Sequence, residues 1–237
     1  MRARRKKHLD ERADNIRDII VVQKTSEHLA LPENERYDVK TPFELFKNTN
    51  PVELEIGSGK GKFIVEKAKL HPEINFLGVE IQLNVLITCA EKVREEGLKN
   101  VKLFNCGAEI LKYELPKNSI DKLYLNFSCP YPKKQYANHR LTYWSFLEIY
   151  KYLLKDGAEI HFKTDNDDFF EFSLSSFIEN GFEITYQTRN LHAENVVDNV
   201  MTEYETKFSS LGKSINKLIA KVKSWLVKEL TYTSILT

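Results

Sequence analysis

One strand-to-helix turn narrows the possible folds more than anything else in this chain. The run Val52-Glu53-Leu54-Glu55-Ile56 is strand-like, Gly57, Gly59 and Gly61 follow at alternate positions, and a helical pattern opens at Lys62-Phe63. Glycines at such a turn let the backbone bend tightly and let a ligand approach its N–H groups. A second apolar run, Phe76-Leu77-Gly78-Val79, ends in Glu80, 19 residues beyond Gly61. An α/β nucleotide site places a carboxylate at that position to accept hydrogen bonds from ribose hydroxyls. The expected ligand is therefore an adenosine-type cofactor.

The rest of the chain alternates as βα units do. Strands are expected at 52–56, 75–80, 101–105, 121–127 and 158–163, and helices at 61–70, 82–97, 140–154 and 167–180. Gly97, Gly157 and Gly181 stand where helices should stop. The runs 182–188 and 203–208 read as a final antiparallel hairpin, which gives a mostly parallel seven-stranded sheet with helices on both faces. Residues 13–23 read equally as a short helix or a strand. Three regions follow: a basic arm and linker at 1–42, the α/β domain at 43–212, and a basic amphipathic tail at 213–237. In the tail, Ile215, Leu218, Ile219, Val222 and Leu226 recur at helical spacing, with lysines mostly on the other face. Such a helix either docks with a solvated lysine face or contacts RNA.

The net charge of +1 conceals a local bias, because residues 1–12 hold Arg2, Arg4, Arg5, Lys6, Lys7 and Arg12 against Asp10 and Glu11. Such an arm suits a polyanion, and equally a solvated terminus. No apolar run reaches membrane-spanning length and no secretory pattern follows the arm, so no membrane partner is expected. Cys89, Cys106 and Cys129 form no CxxC pair, which argues against a zinc site or disulfide framework and for a reducing cytoplasm. His161 and His192 share no metal-ligand spacing, so no metal is expected. His161 reads as a strand residue and His192 as a loop residue able to line a substrate site.

Glycine spacing discriminates between cofactors. Dinucleotide enzymes usually show GxGxxG around a pyrophosphate, whereas Gly57, Gly59 and Gly61 form GxGxG after Glu55. A carboxylate there repels a pyrophosphate and accepts from an ammonium. S-adenosylmethionine carries an ammonium, a sulfonium and no phosphate, so the pattern favours a methyl donor. The next loop, Asn105-Cys106-Gly107-Ala108-Glu109, lies along the adenine in such folds and offers the N–H groups of Gly107 and Ala108. No acidic side chain stands at that strand end itself, although Glu109 follows two residues later. After the run Leu123-Tyr124-Leu125-Asn126 comes a loop stiffened by Pro130 and Pro132, bearing Tyr131, Lys133, Lys134 and Arg140. Asn126 ends the strand whose carboxyl end faces the reactive methyl. An aromatic ring beside cations suits an extruded base next to its phosphates, or simply a rigid surface loop.

With these pieces on the page, the chain resembles the bacterial tRNA (guanine-N7)-methyltransferase family. The matching segments are Leu54-Glu55-Ile56-Gly57, Gly78-Val79-Glu80, Leu125-Asn126-Phe127-Ser128, Pro132-Lys133-Lys134, Arg140-Leu141-Thr142, His161-Phe162-Lys163-Thr164-Asp165-Asn166, Leu191-His192, and Thr202-Glu203-Tyr204-Glu205 followed by Lys207-Phe208. The resemblance spans roughly residues 50–212. It implies a class I S-adenosylmethionine-dependent methyltransferase fold and methyl transfer to N7 of a guanosine in the tRNA variable loop, by a monomer or homodimer. Glu55 and Glu80 match the family's cofactor carboxylates. Lys133, Asp165, Thr202, Glu203, Tyr204 and Glu205 match substrate-binding positions.

The chain departs from the family pattern twice. Where the family reads Asp-Pro-Trp-Pro-Lys, this chain reads Cys129-Pro130-Tyr131-Pro132-Lys133, so Cys129 stands at the catalytic aspartate's position. Gly107 stands where the family commonly carries an aspartate near the adenine. Guanine N7 already holds an in-plane lone pair, so alignment supplies much of the rate enhancement. A carboxylate accepting from guanine N1–H would add stabilisation as the purine becomes cationic. A thiol is a weak acceptor. Three readings follow: a slower enzyme, one in which Asp165 or Glu203 supplies the missing charge, or a tRNA-binding homologue without catalysis. The expectation is an active enzyme in which Asp165 compensates, with no nucleophilic role for Cys129.

Overall fold

A computed structural model describes residues 16–23, 38–194, 196 and 199–222. The basic arm, the linker up to residue 37 and the tail from residue 223 lie outside the described residues. Eight strands form one sheet: β1 (Ile20–Gln23), β2 (Val52–Ile56), β3 (Asn75–Val79), β4 (Val101–Asn105), β5 (Ile120–Asn126), β6 (Leu154–Thr164), β7 (Phe182–Thr188) and β8 (Asn216–Val222). Their spatial order is β1-β4-β3-β2-β5-β6-β8-β7. Pairings from β1 to β6 are all parallel, and β8 runs antiparallel between β6 and β7.

The helices are α1 (Pro42–Phe46), α2 (Lys62–Leu70), α3 (Leu83–Glu95), α4 (Leu111–Glu114), α5 (Trp144–Leu153), α6 (Asp167–Glu179) and α7 (Glu203–Ser210). Two apolar cores result, one on each side of the sheet. Ile64, Leu86, Ile87 and Val93 of α2 and α3 pack on Phe76, Val101 and Leu103 in one. Leu147, Tyr150, Phe169, Phe170 and Phe177 of α5 and α6 pack on Leu54, Leu123, Ile160 and Phe162 in the other. Strand β2 serves this second core with Val52, Leu54 and Ile56, so the period of two turns Glu53 and Glu55 to the opposite face. Both glutamates are nonetheless buried.

The chain adds β3 and β4 on one side of β2 and then β5 and β6 on the other. The topological switch point therefore lies between β2 and β5, where open α/β sheets bind ligands beyond their carboxyl ends.

Three expectations need correction. The sheet has eight strands rather than seven, because Ile20–Gln23 pairs with β4 at the edge and resolves the ambiguous residues 13–23 over that stretch. Residues 203–208, read as a strand, lie in α7. Thr202 caps that helix, its hydroxyl accepting from the Glu205 N–H at 2.9 Å, and Thr202 followed three residues later by Glu205 is a helix-start signature. The tail read as an amphipathic helix is strand β8 over Asn216–Val222, and β8, not 203–208, pairs with β7. Backbone groups on the facing edges of β6 and β7 both pair with β8, which outweighs a helical recurrence of apolar residues.

Candidate active site

The carboxyl ends of β2, β3, β4 and β5 open into a cleft of about 1100 Å³. Its floor is the glycine turn. Gly57 and Ser58 N–H both donate to the Val79 carbonyl, at 2.8 and 3.0 Å, folding the loop over the end of β3. Gly57, Gly59 and Gly61 all take positive φ, at 83°, 57° and 83°. At Gly57 an added Cβ meets nothing within 4 Å, so the residue is open to a ligand, whereas at Gly61 it falls 2.3 Å from Cys89 Sγ on α3. Gly61→Ala is therefore expected to cost about 2–4 kcal/mol through backbone strain and collision, read as a lower urea midpoint. Cys89→Ala should recover only part of the loss, since the φ penalty remains.

Glu55 is the electrostatic centre. Its Oε1 accepts from Asn126 Nδ2 at 3.0 Å across the switch point. Its Oε2 is buried without a hydrogen-bond partner among the described residues, as are Ser58 Oγ, Asn126 Oδ1 and Ser128 Oγ. Burial lifts the Glu55 carboxyl from 4.5 to about 8, opposed by the Asn126 hydrogen bond and the Lys163 charge. Buried acceptors left unpaired are costly, and Glu55, Ser58, Asn126 and Ser128 all line the cleft. Glu80 accepts from Gly59 N–H at 3.2 Å and from Gln82 N–H at 2.9 Å, tying the glycine loop to the start of α3. Asn105 Nδ2 donates to the carbonyls of Glu80 and Ile81, at 2.8 and 3.1 Å, and so fixes that corner from β4.

Cys129 is an exposed thiol on the cleft wall, with Asp165 lining the same cleft. The Asp165 carboxylate pairs with Lys213 at 2.9 Å. Phe127 and Tyr131 flank Cys129 in left-handed backbone, with φ of 51° and 40°, a costly geometry for aromatic residues that clusters at functional loops. Gly107, Ala108, Thr202, Glu203 and Tyr204 also line the cleft, while Lys133 and Lys134 stand exposed on the loop beyond it.

Two expected substrate residues are placed differently. Arg140 donates from Nε to the Pro130 carbonyl and from Nη2 to the Tyr131 carbonyl, at 2.9 and 3.0 Å, and stacks on Phe172. It braces the loop. Glu205 is fully buried, paired with Lys163 Nζ at 2.7 Å and accepting from Asn199 Nδ2 at 2.7 Å. It faces the interior instead of a substrate. His161 lies on β6 against Glu159, and His192 Nε2 meets Ser209 Oγ at 2.9 Å. Phe208, matched in the sequence but given no role there, stacks between Phe127 and Tyr204, with centroid distances of 6.4 and 6.1 Å.

A family model described as "Putative methyltransferase" matches residues 49–218. A tRNA (guanine-N(7)-)-methyltransferase of Geobacillus sp. (strain WCH70) is 48% identical over 75% of this chain and 81% of the relative. One of Streptococcus suis (strain 05ZYH33) is 44% identical over 81% of this chain and 93% of the relative. The chain belongs to the tRNA (guanine-N7)-methyltransferase family. Solved structures extend the likeness in fold alone. The 16S rRNA methyltransferase KamB aligns with TM-score 0.61 at 16% identity over 79% of this chain and 95% of its own. An antibiotic-related methyltransferase aligns with TM-score 0.59 at 18% identity over 85% and 97%. The fold is that of class I methyltransferases. Chemically, the unpartnered buried acceptors of Glu55, Ser58 and Asn126 are compatible with the ammonium of S-adenosylmethionine, and the open face of Gly57 leaves room beside them. Among the described residues, no helix is long and apolar enough to cross a membrane.

Proposed function

We propose that this chain transfers a methyl group from S-adenosylmethionine to N7 of a guanosine in the tRNA variable loop, in the cytoplasm. The unpaired Glu55 oxygen at the switch point is the observation that carries the reading. Bound there, the donor supplies an electrophilic methyl on its sulfonium. Glu55 and Asn126 hold its ammonium end, and Glu80 accepts from its ribose hydroxyls. Phe208 and Tyr204, the latter 59% exposed, offer a stacking platform for the target base. Lys133 and Lys134 stand on the exposed loop where tRNA phosphates approach. The protein's main contribution is alignment of N7 with the methyl carbon, because that lone pair needs no base to expose it.

Asp165 takes the charge role vacated by Cys129 in this reading. Its carboxylate lines the cleft from the end of β6 and is only partly neutralised, since its partner Lys213 is half-exposed. Asp165→Asn is expected to slow single-turnover transfer by about 10–100-fold, below the loss at a fully desolvated oxyanion contact. Cys129→Ser should leave the rate within about twofold, as both side chains are weak neutral acceptors. An unchanged rate in Asp165→Asn would remove the compensation idea, and an inactive Cys129→Ser would point to covalent chemistry at the thiol.

Labelled S-adenosylmethionine with unmodified tRNA, followed by nucleoside analysis, tests the function directly. The expected product is 7-methylguanosine. Label at another position, or none despite binding of both substrates, would overturn the proposal.

A further inference from the structure

At Gly107 the space a side chain would take is occupied by the Glu109 carboxylate, and the backbone itself makes no demand for glycine. Its φ of −81° and ψ of 157° suit any residue. A Cβ built on it falls 2.2 and 2.3 Å from the two carboxylate oxygens of Glu109. The Glu109 carboxylate thus lies over the bare face of Gly107. Glu109 is exposed and lines the cleft, and no hydrogen bond or ion pair joins it to another described residue.

What meets this carboxylate follows from the order of the strands, granted the donor placement proposed above. Glu55 ends β2, Glu80 follows β3, and the loop from Cys106 to Glu109 follows β4, the next strand outward. Neighbouring strands lie about 4.8 Å apart, so a ligand with its ammonium at Glu55 and ribose at Glu80 lays its third part, the adenine, over the β4 loop. Ile81, 68% exposed on the cleft wall, and Ala108 supply apolar surface for a flat ring at that end. The edge of adenine that distinguishes it from other purines is its 6-amino group, a donor pair that calls for an acceptor.

We infer that Glu109 is a specificity-determining residue whose carboxylate, folded over Gly107, accepts from the adenine 6-amino group. The test is calorimetric binding, without turnover, of S-adenosylhomocysteine and of its analogue with unsubstituted purine in place of adenine. The wild type should prefer the adenine form by about 5–10-fold, the range for one charge-assisted hydrogen bond at a partly solvated site. Glu109→Ala should bring the preference below about twofold, a loss of most of that hydrogen bond. Adding Gly107→Asp to Glu109→Ala should restore it, because the aspartate then occupies the vacated space. If Glu109→Ala keeps the full preference while Glu55→Gln abolishes binding of both ligands, the role of Glu109 is refuted and the donor placement stands. If Glu55→Gln binds both ligands normally, the placement fails and the inference falls with it.

Discussion

Glu55→Gln is expected to weaken S-adenosylmethionine binding by more than a hundredfold, through loss of a desolvated charge pair of about 3–5 kcal/mol. The amide keeps the shape of the side chain and removes the charge that the donor's ammonium requires. pH dependence provides an independent check. Burial holds the free carboxyl near 8, and an ammonium beside it favours the ionised form, so binding expels a proton below that pH. Affinity should rise by up to about tenfold per pH unit toward pH 8. It should fall again as the ligand's own amino group, with pKa of about 8, loses its proton. In Glu55→Gln the rising limb disappears. Calorimetry in buffers of different ionisation enthalpy counts the released proton; zero release near pH 7 would show the free carboxyl already ionised there, and unchanged affinity in Glu55→Gln would exclude Glu55 as the ammonium partner. The same shift affects folding. Between 4.5 and about 8 the folded protein holds a proton that the unfolded chain gives up, so this group's contribution to stability falls as pH rises through that window and is level above it.

Glu205→Ala is expected to destabilise the fold by about 3–5 kcal/mol, because it strands the buried ammonium of Lys163. The pair is almost completely shielded, with side chains 5% and 0% exposed. Burial pushes the Lys163 pKa down, and Glu205 holds it up against that penalty. The pair anchors α7 to the end of β6, while Lys62 reaches Thr206 at 2.8 Å and Lys92 reaches Glu203 at 3.3 Å from α2 and α3. Since α7 carries Tyr204 and Phe208 to the cleft, its anchor also supports the base platform proposed above. Lys163→Met with Glu205→Leu should regain most of the stability, as removing both charges removes the desolvation cost. Urea unfolding reads both effects. A Glu205→Ala protein of normal stability with impaired tRNA affinity would instead return Glu205 to the substrate-binding role its sequence position implies.

Local features of the site were legible in the residues alone. Strand β2 and its glycine turn show because adjacent residues carry the pattern, and Glu80 shows because a short βα unit sets its distance from Gly61. The parallel strands β3 and β4 show because strands buried on both faces read as nearly continuous apolar runs, and β6 shows through the alternation of Ala158, Ile160 and Phe162. Strand β8 did not, since Ile215, Leu218, Ile219 and Val222 satisfy a helical period as well as a strand between two partners. Thr202 and Glu205 occupy matched substrate positions, yet one caps α7 and the other neutralises Lys163 across 42 residues of chain. Likewise, nothing in the order Gly107, Ala108, Glu109 tells that the third residue's carboxylate folds back over the first. Turns, caps and strand runs depend on neighbours in the chain and are written locally. Which charge meets which, and which acceptor remains unpaired in the cleft, depends on burial and on contacts between distant segments, and those exist only once the sheet has assembled.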